Sequence, residues 1–320
     1  MGIQEIRLED LNPAEFIAQQ ARAISETVGD GLAINALSGG VDSSTVTMLG
    51  HRALGDRLLT YFVENGIMRQ GEPERVVGLF RRLGVPVQLV DARQEFFAAL
   101  RGLTDPEQKR EAITQTFYKT VFGRLVRESG ARYLLQGTIL TDVEETVAGV
   151  KRQHNILAQL GIDTQQAFGY RVIEPLIQLR KPAVRAVAKA LGLPEEITSR
   201  PPFPGPALAA RVIGEVTPER IETVRAATAI VEEELAHTGA FQYLAILHED
   251  RVTGLRNGRR DYGLQIEVRC WDSQDARTGS PTRLPYETLE RLAERITQVP
   301  GVVSVTYNIT RKPPSTIEAV

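Results

Sequence analysis

The stretch that most constrains the fold of this chain is residues 32–54, LAINALSGGVDSSTVTMLGHRAL. Residues 32–37 are an apolar run of strand length, and residues 38–43 are a turn of small residues. Helical spacing follows the turn, with Val46 and Leu49 on one buried face. A strand, a glycine turn and a helix start in this order bring backbone N–H groups and a helix dipole to one point. The stretch therefore predicts an α/β fold with a phosphate-binding loop.

An aspartate, Asp42, lies inside this turn, and no lysine follows the glycines as it would in a Walker loop. A carboxylate beside a polyphosphate is favourable when Mg²⁺ lies between them, so we predict that Asp42 is a magnesium ligand. The string SGGVDSS resembles the loop of the N-type ATP pyrophosphatases; an ordinary glycine-rich turn is the alternative. The residues expected to hold the ATP phosphates are Ser38, Gly39, Gly40, Val41, Asp42, Ser43 and Ser44.

Length and composition favour a two-domain enzyme acting on a small molecule. The chain has 320 residues, 42% of them hydrophobic, which exceeds the usual size of one domain. Its single cysteine, Cys270, excludes an internal disulfide, and no apolar run resembles a signal peptide or a membrane span. The net charge of −2, without a basic half, argues against a nucleic-acid substrate. We expect a cytoplasmic protein that contacts no membrane.

Apolar runs alternate with helical patterns along the first 200 residues. This alternation predicts a parallel sheet with helices on both faces and ligands at the carboxyl ends of its strands. The predicted strands are 32–37, 58–63, 85–90 and 132–135, and the predicted helices include 12–29, 72–83 and 106–128.

A second candidate ligand loop, QGTILTDVEET, follows the fourth predicted strand at residues 136–146. Gly137 and Thr138 could bring backbone against an adenine or a ribose. Asp142 and Glu145 lie three residues apart, so they can share one helix face and hold a metal or a polar substrate. Capping of the helix N-terminus by these acids is the alternative.

Two further residues are candidates because of their setting. His154, in the polar string 151–155, is a candidate proton-transfer group, with a surface or packing role as the alternative. Lys181 precedes Pro182 at a predicted helix start, where a cation opposes the helix dipole unless an anion neutralises it. We therefore assign Lys181 to the ATP phosphates.

Four prolines in residues 200–206 mark the predicted boundary between a first domain at 1–205 and a second at 206–320. The exposed sheet of the second domain favours a homodimer. Its tail, 311–318, could hold a phosphate and a ring carbonyl, or could be a frayed terminus. The expected elements of this α+β domain are strands at 207–213, 242–248, 263–270 and 302–309 and helices at 218–236 and 285–298.

The order of several longer strings adds a resemblance to a family. The chain resembles the ATP-pyrophosphatase part of the GMP synthetases over nearly all of residues 30–318. The strings are LSGGVDSS, VENGIMR, QGTILTDVEE, KRQHN, PPFPGP, RVIGEV and KPPSTIE. The resemblance implies an adenine-nucleotide α-hydrolase-like domain followed by a smaller α+β dimerisation domain.

The resemblance also implies a reaction and a set of site residues. The C2 oxygen of xanthosine monophosphate would attack the α-phosphorus of ATP, releasing pyrophosphate, and ammonia from a separate glutamine amidotransferase subunit would then displace AMP to give GMP. The implied ATP contacts beyond the loop are Val63, Arg69, Gly137, Thr138 and Lys181. Those implied at the reacting face are Asp142, Glu145 and His154. Those implied for the nucleotide substrate are Arg200, Phe203, Pro204, Gly205, Lys312, Thr316 and Glu318.

This chain departs from the family pattern on the acceptor side of the reaction. The departures are Glu64, Gln153, residues 156–160, Ala207 and the terminal Ala319-Val320. They leave two alternatives open. One is a paralogue that adenylates another oxo-heterocycle and installs nitrogen or sulfur. The other is a nucleotide-binding module without turnover, which the presence of both Asp42 and Lys181 argues against.

Overall fold

The structure is a computed structural model that describes residues 3–147, 169–199, 203–256, 258–274 and 277–319. The chain forms two compact units. The first comprises Met1–Glu64, Glu72–Asp91 and Phe117–Arg200, and the second comprises Asn65–Gly71, Ala92–Thr116 and Pro201–Val320. The division at residue 205 stays a prediction, and the second unit also takes in two segments from the N-terminal half.

Helices and strands alternate through the first half of the described chain. The α-helices are α1 (Pro13–Val28), α2 (Val41–Leu54), α3 (Glu72–Arg82), α4 (Arg93–Leu100), α5 (Pro106–Gln115), α6 (Gly123–Ser129), α7 (Leu140–Val147), α8 (Lys181–Ala190), α9 (Glu195–Thr198), α10 (Pro218–Leu235) and α11 (Tyr286–Ile296). The strands are β1 (Ala33–Ala36), β2 (Leu58–Glu64), β3 (Val87–Asp91), β4 (Tyr133–Leu135), β5 (Arg171–Ile173), β6 (Gln242–Arg256), β7 (Arg259–Asp272), β8 (Ser280–Pro281) and β9 (Val302–Tyr307).

The first unit is built on a five-stranded parallel sheet in the order β3-β2-β1-β4-β5. Strand β1 lies in its centre, with Ile34 fully buried. The predicted fold class is therefore confirmed, and the predicted helices at 12–29 and 72–83 are present as α1 and α3. The helical pattern at 106–128 is interrupted by a π-helical segment, Thr116–Phe122.

A buried polar chain ties helix α2 to the centre of this sheet. Asn35 of β1 accepts a hydrogen bond from Thr60 Oγ1 at 2.8 Å and donates one to Thr47 Oγ1 at 2.6 Å. Thr47 in turn donates to the carbonyl of Ser43 at 2.8 Å. Buried polar groups that are fully hydrogen-bonded specify one arrangement of the elements that carry them. The start of α2 is thereby fixed against β1.

The second unit contains a long antiparallel hairpin, β6–β7, which β8 and β9 extend through β7. Its core includes Leu244, Ile246, Trp271 and Ile317. The strands expected at 242–248 and 263–270 are present but longer, because the pattern stops where both faces become exposed. The predictions of β9, α10 and α11 are confirmed to within three residues at either end.

The predicted strand at 207–213 is wrong. Ala207–Arg211 is a 3-10 helix, and all five of its residues are buried. Burial on every side removes the alternation that would distinguish a strand, so an apolar run of this length fits either structure. A turn at Pro206 and a positive φ of 51° at Ala207 divert the chain before it can extend.

The C-terminal tail is packed in the described structure. The backbone of Lys312 pairs with Gly279, and Ile317 is buried in the core of the second unit. These contacts argue against the frayed-terminus alternative. Within the described ranges, no helix combines the length and hydropathy needed to cross a bilayer.

A buried lysine predicts a pH dependence of stability. Lys109 of α5 is 2% exposed, and its Nζ donates to the carbonyl of Val212 at 2.9 Å. Burial, helped by the charge of Arg220 and opposed by Glu249 and Asp105, lowers the pKa of Lys109 from 10.5 to about 8. Between these values the unfolded chain binds a proton that the folded chain does not, so folding is favoured as the pH rises.

We expect the free energy of unfolding of the wild type to rise relative to Lys109→Met between pH 8 and pH 10.5. A pKa difference of this size corresponds to a gain of up to about 3 kcal/mol. Urea unfolding of both proteins across this range measures the difference. A difference that stays flat, or falls, contradicts the assignment.

Candidate functional site

The loop between β1 and α2 has the geometry of an anion site. Gly39 has a φ of +79°, a conformation that favours glycine, and Gly40 caps α2 with extended backbone. The first intrahelical bond runs from Ser44 N to Gly40 O at 3.0 Å. Helix geometry therefore leaves the N–H groups of the first turn without an intrahelical acceptor, pointing out of the helix start.

Two serines close this loop on itself. Ser38 Oγ lies 2.9 Å from Ser43 Oγ, and Ser43 Oγ donates to Gly40 O at 3.1 Å. A Cβ added to Gly40 would meet only Ser38 Oγ, at 3.5 Å. The backbone at Gly40 is therefore open on that side, so an oxyanion can approach the loop closely.

Asp42 and Lys181 form an ion pair beside this loop. Lys181 Nζ lies 2.5 Å from Asp42 Oδ2, and the two side chains are 44% and 25% exposed. Lys181 is the first residue of α8, as its proline neighbour predicts. The anion that neutralises it in this structure is Asp42, which lies 139 residues earlier in the chain. The two predicted phosphate-site residues thus meet in space.

The second oxygen of Asp42 fits the predicted metal. Asp42 Oδ1 is buried and has no hydrogen-bond partner among the described residues. A buried carboxylate oxygen left over in this way is a suitable ligand for a hard cation such as Mg²⁺. In the parts of the chain that the structure describes, no three His, Cys, Asp or Glu residues cluster as a metal site. A cation here would therefore depend on Asp42 and on ligand oxygens.

Gly137 lies directly against the start of α2. A Cβ added to Gly137 would be 3.2 Å from the carbonyl carbon of Asp42 and 3.2 Å from Ser43 N. Thr138, its neighbour, is fully buried, and its hydroxyl accepts from Gln136 Nε2 at 3.2 Å. Contact of either residue with ATP stays a prediction. The structure gives Gly137 a further role, as the close support of the loop.

We expect Gly137→Ala to weaken the binding of ATP. The added methyl group must displace the backbone that carries Asp42 and Ser43, because backbone cannot rotate away as a side chain can. A misplacement of about 1 Å can lower activity roughly 100-fold. ATP titration of both proteins measures the change. Gly205→Ala is the matched control, because its added Cβ would meet nothing within 4 Å. Equal ATP affinity in Gly137→Ala and wild type contradicts the role.

The acidic residues of α7 give a mixed result. Asp142 Oδ2 accepts the N–H of Ile139 at 3.0 Å, which is the capping contact of the alternative interpretation. Its predicted role at the reacting face stays a prediction. The side chain of Glu145 and all of His154 lie outside the described residues. Val63 is 5% exposed in β2, so its side chain belongs to the core.

Arg180, which sequence analysis did not predict, fixes the residue before Lys181. Its guanidinium binds both oxygens of Glu144, at 2.9 and 2.6 Å, and Glu5 Oε1 at 3.0 Å. The bond to Glu144 raises the pKa of Arg180, although partial burial opposes it. These contacts join α7, the N-terminal segment and the start of α8. No local pattern could have revealed partners so distant in sequence.

A second cluster lies within the second unit, around Phe203. The guanidinium of Arg69 lies 4.0 Å from the centre of the Phe203 ring, and that of Arg211 lies 4.8 Å from it. Arg69 also pairs with Glu232 at 3.2 Å. The resemblance assigns Arg69 to ATP and Phe203 to the nucleotide substrate, and the structure brings these two residues together.

Arg211 is the functional candidate that sequence analysis missed. It is 2% exposed, and its Nε lies 3.4 Å from Glu318 Oε2, while Nε and Nη1 have no hydrogen-bond partner in the described chain. A buried guanidinium with free donors is costly unless a ligand accepts from it. Arg211 opens the RVIGEV string directly after the prolines, which was the available signal. We call Arg69, Phe203, Arg211 and Glu318 the Arg211 cluster.

The other residues assigned to the nucleotide substrate lie on two segments of this unit. Pro204 accepts a backbone hydrogen bond from Ala207 at 2.9 Å, and Gly205 is open on its Cβ side. Thr316 Oγ1 donates to the carbonyl of Glu318 at 2.5 Å, and Gln242 Nε2 donates to Glu318 Oε1 at 2.7 Å. Arg200 lies outside the described residues.

Comparison with known proteins gives first the class and then the family. Residues 16–206 match the family described as NAD synthase, so the parallel sheet and its loop are those of that nucleotide-using class. Residues 229–319 match the GMP synthase C terminal domain. The chain belongs to the family of the synthetase subunits of glutamine-hydrolysing GMP synthases.

Individual relatives align along nearly the whole chain. The corresponding GMP synthase (glutamine-hydrolysing) subunit of Archaeoglobus fulgidus is 48% identical over 305 residues, covering 95% of this chain and 98% of the relative. The protein of that name from Pyrococcus furiosus is 48% identical, covering 95% and 96%. That from Methanopyrus kandleri is 44% identical, covering 96% and 99%. The predicted family, and an ATP-dependent ligase as the class of enzyme, are confirmed.

Proposed function

We propose that this protein converts xanthosine monophosphate, ATP and ammonia into GMP, AMP and pyrophosphate. The observation that carries the proposal is the identity to GMP synthase subunits along 95% of the chain, from the phosphate loop to the C-terminal tail. A family relation over this length includes both the ATP-binding part and the acceptor-binding part. It favours this reaction over adenylation of a different heterocycle.

In this proposal the β1–α2 loop holds the pyrophosphate end of ATP. The N–H groups of the first turn of α2 and the hydroxyl groups of Ser38 and Ser43 bind phosphate oxygens. Lys181 moves from Asp42 to the phosphates and neutralises charge that grows on the leaving pyrophosphate. Asp42 would hold Mg²⁺, which when bound neutralises phosphate charge and aligns the phosphates for in-line attack. These residues supply alignment and charge, and none forms a covalent bond with the substrate.

We assign the acceptor nucleotide to the Arg211 cluster and the C-terminal segment. Two arginines beside an aromatic ring suit an anionic, planar molecule, because guanidinium groups bind oxyanions and also stack. Glu318 lies 3.4 Å from Arg211 and supplies a carboxylate that can accept from a purine N–H. Phe203, Pro204, Gly205, Lys312 and Thr316 complete the proposed substrate set.

Ammonia is proposed to come from a separate glutamine amidotransferase subunit. The relatives are named as single subunits of glutamine-hydrolysing enzymes, which supports this partner. We further propose that two copies of the chain pair through the sheet of the second unit, and that the enzyme acts in the cytoplasm. Exposed apolar side chains on that hairpin, Leu255 at 79% and Tyr262 at 63%, support pairing.

The test is incubation of the pure chain with ATP, Mg²⁺, ammonium and one acceptor at a time. With xanthosine monophosphate we expect GMP, AMP and pyrophosphate in equal amounts. Inosine monophosphate is the matched control, because it lacks the C2 oxygen and should release no pyrophosphate. Pyrophosphate release that requires another acceptor instead, or ATP binding without release, contradicts the proposal.

A further inference from the structure

The backbone of the C-terminal segment is held by one buried arginine. Arg269 of β7 is 8% exposed, and its Nη1 donates to the carbonyls of three successive residues. These are Thr316 at 2.7 Å, Ile317 at 3.3 Å and Glu318 at 3.4 Å. The segment that carries two residues proposed to bind the nucleotide is therefore anchored by its main chain.

Arg269 is itself oriented by a carboxylate two residues earlier on the same face of the strand. Glu267 Oε1 accepts from Arg269 Nε at 2.6 Å and from Asn308 Nδ2 at 2.8 Å, and Oε2 lies 2.8 Å from His248 Nε2. Burial alone would raise the pKa of Glu267, but the hydrogen bonds from His248, Arg269 and Asn308 lower it to about 2. Glu267 therefore stays ionised at neutral pH.

This arrangement connects the segment to the framework of the sheet. His248 lies on β6, Glu267 and Arg269 on β7, and Asn308 immediately after β9. The planar guanidinium can serve Glu267 with Nε and the carbonyls with Nη1 at the same time, which a lysine ammonium cannot do. Neither Glu267 nor Arg269 belongs to the proposed ATP or nucleotide contacts.

We propose that Arg269, oriented by Glu267, is a positioning residue for the acceptor nucleotide. By fixing the main chain of residues 316–318, it holds the side chains of Thr316 and Glu318 where the nucleotide meets them. This inference rests on the proposed function, since it assumes that the segment binds the nucleotide substrate. It excludes a direct role of Arg269 in the reaction with ATP.

The test compares Arg269→Lys and Glu267→Gln with wild type. We expect Arg269→Lys to raise the KM for xanthosine monophosphate roughly 10- to 100-fold, and Glu267→Gln to raise it less, because small misplacements weaken a preorganised site. The KM for ATP and kcat at saturating acceptor should remain within about twofold of wild type. Arg256→Lys is the matched control, because Arg256 also donates to backbone carbonyls, of Val302 and Thr297.

A second readout follows the segment without turnover. Trp271 is the single tryptophan of the chain and packs with Ile317. Release of the segment in Arg269→Lys should increase acrylamide quenching of its fluorescence, and saturating xanthosine monophosphate should reverse the increase. An unchanged KM for the nucleotide in Arg269→Lys overturns the inference while wild-type GMP formation upholds the proposed function. A parallel rise in the KM for ATP also overturns it. A wild type that neither binds nor converts xanthosine monophosphate overturns both.

Discussion

Replacing Asp42 with asparagine is expected to lower the rate of pyrophosphate release by about 1,000-fold or more. Asparagine keeps the shape of the side chain and an oxygen for Lys181, which lies 2.5 Å away. It removes the negative charge that a magnesium ion needs and leaves the buried Oδ1 position without a strong ligand atom. Rapid-quench measurement of pyrophosphate at saturating substrates gives the rate directly.

The control for this variant is Asp105→Asn. Asp105 also lies at a helix start, where its side chain accepts from Gln108 N at 2.9 Å, and asparagine preserves that cap. The control should retain wild-type turnover and the same unfolding midpoint as Asp42→Asn. If Asp42→Asn releases pyrophosphate at the wild-type rate, the carboxylate does not hold a catalytic metal.

Replacing Arg211 with methionine is expected to raise the KM for xanthosine monophosphate by about 100-fold or more without lowering the stability of the protein. Each lost charge-assisted bond to a ligand contributes about 1.5–3 kcal/mol, and Arg211 offers two unpaired donors. Because these donors lack acceptors among the described residues, burying an apolar side chain instead is neutral or stabilising. Steady-state kinetics and urea unfolding measure the two effects separately.

Arg225→Met provides the contrast. Arg225 donates to the carbonyls of Met68 and Gly66, at 2.8 and 2.6 Å, so its loss leaves two acceptors unpaired. We expect that variant to lose about 1–3 kcal/mol of stability. An Arg211→Met protein that binds the nucleotide normally but unfolds as readily as Arg225→Met would show that Arg211 is only structural.

The parts of the molecule that sequence predicted are those determined by local pattern. Strand β1, the glycine turn and the start of α2 follow one another within 23 residues, so spacing and residue type suffice to predict them. The start of α8 follows from Pro182 in the same way. The 3-10 helix at Ala207–Arg211 escaped prediction because full burial removes the pattern that distinguishes it from a strand.

The parts that sequence could not predict depend on partners far apart in the chain. Arg180 binds Glu5, and Lys181 binds Asp42, across separations that leave no periodic signal. The helix-dipole argument required an anion near Lys181, but it could not identify Asp42 as that anion. Asp142 shows the opposite limit, because a capping acid and a ligand acid have the same spacing, and only the bond to Ile139 N distinguishes the first.

The Lys181–Asp42 pair also shapes how the ATP site is expected to work. Without nucleotide, the amine neutralises the carboxylate; in the proposed complex each group has a stronger partner, a phosphate for Lys181 and a metal for Asp42. Lys181→Met should therefore weaken binding of ATP more than binding of AMP, because AMP lacks the phosphates that the lysine is proposed to meet. Equal loss for both nucleotides would place Lys181 elsewhere on ATP.

The central claim is that the C2 oxygen of xanthosine monophosphate attacks the α-phosphorus of ATP. The most direct measurement uses xanthosine monophosphate labelled with ¹⁸O at C2 and follows the label by mass spectrometry. We predict one ¹⁸O in the phosphate of each AMP formed and none in pyrophosphate. Unlabelled AMP accompanied by GMP, or ¹⁸O in pyrophosphate or inorganic phosphate, would contradict this chemistry.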